Sequence, residues 1–181
     1  MSYIEKRILF MKNIYKQFQP IGKTWLIDIN NYNEVPFQRK TSKVKWSLGE
    51  IYNHLCSSTL HFHLQGVEKC LTSPKEGSKN WSGKMVFLKS SFNNKKLKTF
   101  MEEQTPPTQP NNIAEAKDLM IRVLKQMDEY GQKITKDTGS KKAEHPVLGF
   151  LNAEEWYKLI IFHFEYHSKN KSKIEEFLTT K

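Results

Sequence analysis

Apolar residues recur at intervals of three and four along most of the chain, the spacing that places side chains on one face of an α-helix. The pattern predicts four long helices, over about residues 4–35, 48–71, 111–138 and 153–178. We expect the first helix to be kinked or split at Pro20 and to end before Pro36, because proline lacks an amide hydrogen and disfavours a helical residue before it. Its apolar positions are Ile4, Ile8, Met11, Tyr15, Phe18, Trp25, Ile29 and Tyr32. The one β-element that the sequence suggests is a short strand at Met85–Leu88.

Two of these helices begin with the residues of a capping box. Ser47 is expected to be the N-cap of the second helix, with Glu50 three residues later to bind the N-cap amide. Asn152 and Glu155 repeat this arrangement at the start of the fourth helix. The starts of both helices are therefore predicted to within a residue.

The connection over residues 73–110 is long for a compact domain, which indicates that it crosses the molecule or covers part of it. A crossover that returns to the same end makes the second and third helices parallel, while the short link Glu144–Phe150 makes the third and fourth antiparallel. The second and fourth helices are then antiparallel as well. We predict an all-α fold, a four-helix bundle with a long crossover between helices 2 and 3, in one domain over residues 1–181.

The composition agrees with a globular chain, since 38% of the 181 residues are hydrophobic and 12% are aromatic. The apolar run at Ile8–Met11 is too short for a signal peptide or a membrane span, so we expect a cytoplasmic protein that does not bind membranes. Cys56 and Cys70 fall about 21 Å apart along the second helix, beyond the reach of a disulfide, and are expected to be reduced thiols.

The net charge of +10 raises the question of nucleic acid or acidic ligands. The lysines are scattered over the 84–98 stretch, the 140–142 stretch and the C-terminal tail, and no nucleic-acid recognition motif accompanies them. We interpret the charge as a solvated basic surface and expect no specific binding of nucleic acid.

His163 and His167 point to specific chemistry, because two histidines four residues apart lie on one face of a helix and can reach one ion. His54 lies about 26 Å from the end of the second helix and His167 about 21 Å from the start of the fourth, so antiparallel packing brings them to one level. The three imidazoles are predicted to bind one divalent metal ion and to leave coordination positions open. Nitrogen ligands suit zinc, nickel or iron and do not decide among them.

The sequence does not identify a catalytic side chain. We expect a water or a thiolate bound to the metal to be the reacting group. Glu50, one turn before His54, is a weak candidate for a general base, but its place in the capping box is sufficient explanation for it. Glu165 and Tyr166 lie between the paired histidines, and either one is a candidate to support a ligand.

The remaining histidines, a cysteine and the aromatic residues of the long connection are further candidates for ligands or for cover of the site. The helical spacing turns His61 toward the side of His54 but too far along the axis to share an ion, and turns His63 elsewhere. His145 is expected to tie its loop, and Cys56 to lie on another side of the helix. The aromatic residues of the long connection either cover the metal cavity or pack among themselves, and both interpretations stay open for Trp81, Phe87 and Phe92.

Three segments carry a resemblance to a known family. The segment Trp46-Ser47-Leu48-Gly49-Glu50-Ile51-Tyr52-Asn53-His54-Leu55 resembles the WS-x-G-E-I-x-x-H-L signature of the DinB-like four-helix metalloprotein superfamily, which includes the YfiT-type hydrolases and thiol transferases. The later segments His145-Pro146-x-x-Gly149 and His163-x-x-x-His167 are similar to the closing part of that family.

The resemblance implies a fold, a ligand set and a class of activity. The fold is an up-down-down-up bundle, commonly a homodimer, and the metal ligands carry over to His54, His163 and His167. The activity implied is that of a divalent-metal-dependent hydrolase or thiol-dependent S-transferase, acting on a small molecule with a low-molecular-weight thiol as a candidate partner. Two alternatives stay open: a non-catalytic bundle that binds metal or a protein partner, and a nonspecific nucleic-acid binder.

Overall fold

The computed structural model describes residues 3–40, 45–137 and 139–179, and within its terminal helices the side chains of residues 3–15 and 179 lie outside the described part. The described chain is mostly α-helical and has a small two-stranded sheet. The helices are α1 (Tyr3–Ile29), α2 (Glu34–Gln38), α3 (Leu48–Ser58), α4 (Leu64–Thr72), α5 (Trp81–Leu88), α6 (Lys95–Gln104), α7 (Ile113–Ile134) and α8 (Ala153–Thr179). A π-helical turn (Thr59–His63) joins α3 to α4, and the strands are β1 (Lys142–His145) and β2 (Gly149–Asn152).

Helices α1 and α8 run parallel to each other. The indole nitrogen of Trp25 donates to the hydroxyl of Ser168 at 3.1 Å, and the ammonium of Lys171 lies 2.6 Å from a carboxylate oxygen of Asp28. The two pairs have the same separation in sequence, 143 residues, as a parallel pair of helices requires. The aromatic core lies where α1 meets α3 and α8.

The α3–α4 rod runs antiparallel to α8. His54 contacts His163 near one end of the rod, and Gly66, farther along the rod, lies against Trp156 near the start of α8. Residue numbers therefore rise along the rod while they fall along α8. This is the relative direction that the two predicted helices needed for their histidines to meet.

The same rod runs parallel to α7. The sulfur atoms of Cys56 and Met120 are 4.0 Å apart, and farther along Lys133 lies 3.7 Å from a carboxylate oxygen of Glu68. Both pairs are separated by almost the same number of residues, so the connection between α4 and α7 returns the chain to its starting end. Cys56 and Cys70 are buried free thiols, as expected.

The first predicted helix needs correction at its end. Helix α1 continues through Pro20 and ends at Ile29, and Pro36 lies within the separate short helix α2. Pro36 is tolerated there because it occupies the first turn, where amide hydrogens have no intrahelical acceptor. The side chains of Ile4, Ile8, Met11 and Tyr15, part of the predicted apolar stripe, lie outside the described residues.

The second predicted helix begins at the expected residue, but it is interrupted in its middle by the π-helical turn. The Ser47 hydroxyl accepts from the Glu50 amide at 3.1 Å, and the Glu50 carboxylate accepts from the Ser47 amide at 2.9 Å, which confirms the capping box. The π-helical turn delays the helical phase by about 100° relative to a continuous α-helix. For this reason the prediction for the next two histidines was wrong: His61 is exposed and His63 is buried.

The connection over residues 73–110 contains the helices α5 and α6, so the short strand suggested at Met85–Leu88 was wrong. Asn80 caps α5 by accepting from the Gly83 amide at 3.0 Å, and Asn94 caps α6 by accepting from the Leu97 amide at 3.1 Å. These caps satisfy amide hydrogens that a short helix otherwise leaves free, which outweighs the β-propensity of the apolar run.

The link before α8 forms a β-hairpin that the sequence did not predict. Strands β1 and β2 pair antiparallel, with His145 opposite Gly149. Gly149 has a φ of +77°, and a Cβ atom there would lie 2.7 Å from the Asn80 amide nitrogen, so glycine alone fits without strain. At the end of the hairpin Asn152 and Glu155 form the second predicted capping box, with bonds of 2.9 and 3.0 Å.

Within the described residues, every helix is too short or too polar to cross a lipid bilayer.

Candidate metal centre

The structure brings together the three histidines that the sequence singled out. His54 is on α3, and His163 and His167 lie one turn apart on α8, all of them buried. Their candidate ligand atoms lie within 4.8 Å of one another, and the Nε2 atoms of His54 and His163 are 3.1 Å apart. The buried cluster could therefore hold a metal ion.

Hydrogen bonds orient two of the rings from behind. The carbonyl oxygen of Thr105 lies 2.5 Å from Nδ1 of His54, and a carbonyl can only accept, so this nitrogen carries the hydrogen. Ser58 donates its hydroxyl hydrogen to the Leu55 carbonyl at 3.0 Å, which leaves the oxygen to accept from Nδ1 of His163 at 3.3 Å. Each ring then presents an unprotonated Nε2 to the other.

Two lone pairs that face each other at 3.1 Å repel unless a cation lies between them. Two nitrogen ligands of one ion, each about 2.0–2.1 Å from it, lie about 2.9–3.4 Å apart at coordination angles near 90–110°. The observed separation of His54 and His163 falls in this range. The donor set therefore fits a divalent metal ion with imidazole ligands.

Burial keeps all three imidazoles in the neutral form that binds metal. It lowers the pKa of His54 below its ordinary value, although the hydrogen bond to the Thr105 carbonyl partly opposes this. It lowers the pKa of His163 well below the ordinary value and that of His167 to about 3, and the neighbouring histidines add to both effects. The rings are thus available as ligands at neutral pH.

Aromatic side chains enclose the cluster. Phe92, from the long connection, stacks on His163 with ring centroids 4.3 Å apart and planes 13° apart. Trp46 stacks on His167 at 5.4 Å and meets the edge of His54 at 4.9 Å. The Nδ1 atom of His167 is buried and has no hydrogen-bond partner among the described residues.

A cavity of about 290 Å³ opens above the three rings. Its wall combines aromatic and aliphatic side chains with a charged rim, and one carboxylate among its described residues, Glu102, is bound by Lys45 at 2.5 Å. The volume suits a small molecule rather than a polymer. The lining residues are Lys45, Trp46, Ile51, His54, Phe92, Lys98, Met101, Glu102, His163, Tyr166, His167, Asn170, Lys173 and Ile174.

Glu50, the weak candidate base, has other partners. One carboxylate oxygen binds the Ser47 amide and the other lies 2.6 Å from the ammonium of Lys40, and the side chain does not line the cavity. Cys56 faces Met120 on α7, and burial raises the pKa of its thiol to about 12, which makes it a poor ligand.

The open choices for the aromatic residues are also resolved. Trp81 is 75% exposed and Phe87 packs against Phe162, so neither lines the cavity, whereas Phe92 does. Tyr166 lines the cavity beside His167, and Glu165 is exposed on the neighbouring surface. Sequence reasoning missed Thr105 and Ser58, of which only Ser58 had a visible signal: it follows His54 by one helical turn.

A second group of buried polar atoms lies beside the cluster. The ring of His63 is 5.8 Å from that of His163, and neither of its nitrogens has a hydrogen-bond partner among the described residues. His145 ties its own loop, as expected, because its Nδ1 accepts from the Val147 amide at 3.1 Å. Burial lowers the pKa of His145 to about 4.

Residues 28–173 match the model of a protein family described as "Protein of unknown function (DUF1569)". The matched region contains all three histidines of the cluster. No curated protein matches the chain.

Proposed function

Because the chain belongs to the DUF1569 family, whose function is unknown, its activity has to be argued from its own site, and we propose that it is a divalent-metal-dependent enzyme acting on a small molecule. The observation that carries the proposal is the cluster of three buried imidazoles, with ligand atoms within 4.8 Å, at the base of a cavity. Structural metal sites are usually closed by a fourth protein ligand, whereas three ligands below a cavity leave room for substrate.

In this proposal His54, His163 and His167 hold the ion, and Thr105 and Ser58 keep two of the rings in the required tautomer. A divalent ion so bound acts as a Lewis acid toward water, thiols and electrophiles. The aromatic wall formed by Trp46 and Phe92 excludes bulk water, which strengthens electrostatic interactions within the cavity.

The reaction class that we propose is hydrolysis or thiol-dependent group transfer. A free general base is missing from the described lining of the cavity, since Glu102 is bound by Lys45 and Glu50 lies elsewhere. Such a site favours reactions in which the nucleophile is acidified directly, as water and thiols are by a Lewis acid. The thiol as cosubstrate rests on the resemblance to the DinB-like proteins.

We also propose that the fold is the up-down-down-up four-helix bundle of the DinB-like superfamily. The helix directions support it: α1 and α8 are parallel, the α3–α4 rod and α7 are parallel, and the rod is antiparallel to α8. Homodimer formation, a cytoplasmic location and the choice among zinc, nickel and iron stay predictions.

The test begins with metal analysis of protein purified without a histidine tag. We expect close to one divalent ion per chain in the wild-type protein, a large loss in His163→Ala and no loss in His61→Ala, a control because His61 is exposed outside the cluster. Turnover is then measured against hydrolysable esters and amides, and against electrophiles with a thiol, with and without a chelator. Metal without turnover would support the non-catalytic alternative, and wild-type protein that takes up no divalent ion would contradict the proposal.

A further inference from the structure

The cavity above the histidines continues into an outer groove of about 590 Å³. The groove is lined on one side by the segment that joins α5 to α6 and by the start of α6, and on the other by the middle of α8. Its residues nearest the cavity line both spaces. These shared residues are Phe92, Lys98, Tyr166, Asn170 and Lys173. A ligand that reaches the imidazoles therefore has a path outward past two lysines.

Lys98 is held in place by partners that do not neutralise it. Its ammonium donates to the side-chain oxygen of Asn93 at 3.2 Å and lies 5.2 Å from the centre of the Tyr166 ring. Neither partner is a carboxylate, and the lysine forms no ion pair with a described residue. The side chain is half-buried, so its charge is less screened by water than that of a fully exposed lysine.

Lys173 faces the same space from α8 and likewise has no carboxylate partner among the described residues. Lys171, one half-turn earlier on α8, differs from Lys173 because it is buried and forms ion pairs with both Asp28 and Glu175. Lys45, on the rim of the inner cavity, is bound by Glu102. Lys45 and Lys171 thus have carboxylate partners, whereas the described part of the chain provides none for Lys98 or Lys173.

The surrounding charge has the same sign. Lys89 and Lys169 also line the outer groove, against one described carboxylate, that of Glu165. A concave surface with an excess of one charge focuses its potential and attracts ligands of opposite charge. The aromatic wall beneath it, with Tyr166 packed against His167 at 5.0 Å, offers an apolar path toward the imidazoles.

We propose that the small molecule bound at this site carries an oxyanion, a carboxylate or a phosphate, which Lys98 and Lys173 bind while its other end enters the cavity. The inference rests on the proposed function in so far as the ligand is a substrate. The oxyanion lies about one aromatic ring away from the histidines, so the reacting group and the anionic group are at opposite ends of the molecule. The lysines supply affinity and orientation and take no part in the chemical step.

The test uses three probes of similar size, phenylphosphonate, phenylacetate and the neutral phenylacetamide, titrated calorimetrically into the full-length protein at low ionic strength. Tighter binding of either anion than of the amide supports the proposal, and comparison of the two anions distinguishes phosphate from carboxylate recognition. We expect Lys98→Gln and Lys173→Gln each to weaken anion binding about three- to fivefold and to leave amide binding unchanged. Lys84→Gln is the matched control, because Lys84 is an exposed lysine outside both spaces.

Oxyanions also bind metal ions directly, so the same titrations are repeated on metal-free His163→Ala protein. Persistence there of the preference for anions, and of its dependence on the two lysines, supports the lysine site. A preference that disappears with the metal, or that is equal in Lys98→Gln and Lys84→Gln, overturns it. Metal content is measured for every protein, so failure of the proposed metal function is recorded independently of anion binding.

Discussion

The hydroxyl oxygen of Ser58 lies 3.3 Å from Nδ1 of His163, so a residue one turn after His54 on α3 orients a histidine of α8. Helix α3 thus contributes one of the three clustered histidines and orients the ring of a second one on α8. The hydrogen bond between Ser58 and the Leu55 carbonyl, 3.0 Å long, determines which way the hydroxyl points.

Replacement of Ser58 by alanine is expected to weaken metal binding about 10- to 100-fold, because the His163 ring loses the acceptor that sets its tautomer and orientation. Competition with a chromophoric chelator measures the affinity. Ser172→Ala is the control, since Ser172 lies on α8 but bonds only within the helix. Equal affinities in the two variants would show that the hydroxyl does not orient the ring.

Substitutions of Glu50 test whether this residue has a structural role in the capping box or a catalytic role as a base. Glu50→Ala is expected to lower the free energy of unfolding by about 1–3 kcal/mol, because the buried Ser47 amide loses its acceptor. Glu50→Gln retains an acceptor oxygen and should cost less, with turnover on any substrate found in the panel retained. Urea denaturation and turnover per folded molecule are the measurements. Abolished turnover in the folded Gln variant would instead identify Glu50 as a base.

Gly66 is predicted to be required where α4 crosses α8. A Cβ atom there would lie 2.3 Å from Cδ2 of the buried Trp156. Gly66→Ala should therefore destabilise the protein by about 1–3 kcal/mol despite alanine's higher helix propensity. In a double-mutant cycle with Trp156→Leu the cost of the alanine should shrink, and additive costs would argue against the steric explanation.

Acid should destabilise the fold through His145. Its pKa is about 4 in the folded protein and about 6.5 in the unfolded chain, so the unfolded chain binds the proton first as the pH falls. The stabilisation is complete above pH 6.5 and is lost between about 6.5 and 4, by about 3 kcal/mol. His145→Asn keeps a side-chain acceptor for the Val147 amide and should show a smaller loss between pH 7 and 4 in urea denaturation. An unchanged pH dependence would exclude His145 as its source.

The features that could be predicted from the sequence depend on short-range chemistry or on constant helix geometry. Ser47 with Glu50, and Asn152 with Glu155, form their capping boxes from residues three apart. The meeting of His54 with His163 and His167 followed from a fixed rise per residue in two antiparallel helices.

The features that were missed depend on contacts between distant segments. The β-hairpin is stabilised by the approach of Asn80 to Gly149, and no periodicity reveals that contact. The carbonyl of Thr105 accepts a hydrogen bond from His54, 51 residues away in sequence. Every residue has a backbone carbonyl, so the sequence does not indicate which one lies beside His54. The wrong assignments of His61 and His63 have one cause, the assumption of a uniform helical phase through Thr59–His63.

The π-helical turn Thr59–His63 determines which insertions and deletions the α3–α4 rod can accept. His54 and Gly66 both face α8, although twelve residues of uninterrupted α-helix would place them about 120° apart, and the wider turn reduces the angle to about 20°. Eleven residues of regular α-helix leave the same angle of about 20°, so loss of a single amino acid between them, with the rod wound evenly, would keep both contacts on α8, whereas gain of one would turn one contact away by about 100°. In this short stretch a one-residue deletion should therefore be accommodated by the loss of the wide turn, while a one-residue insertion should disrupt the packing of the rod against α8.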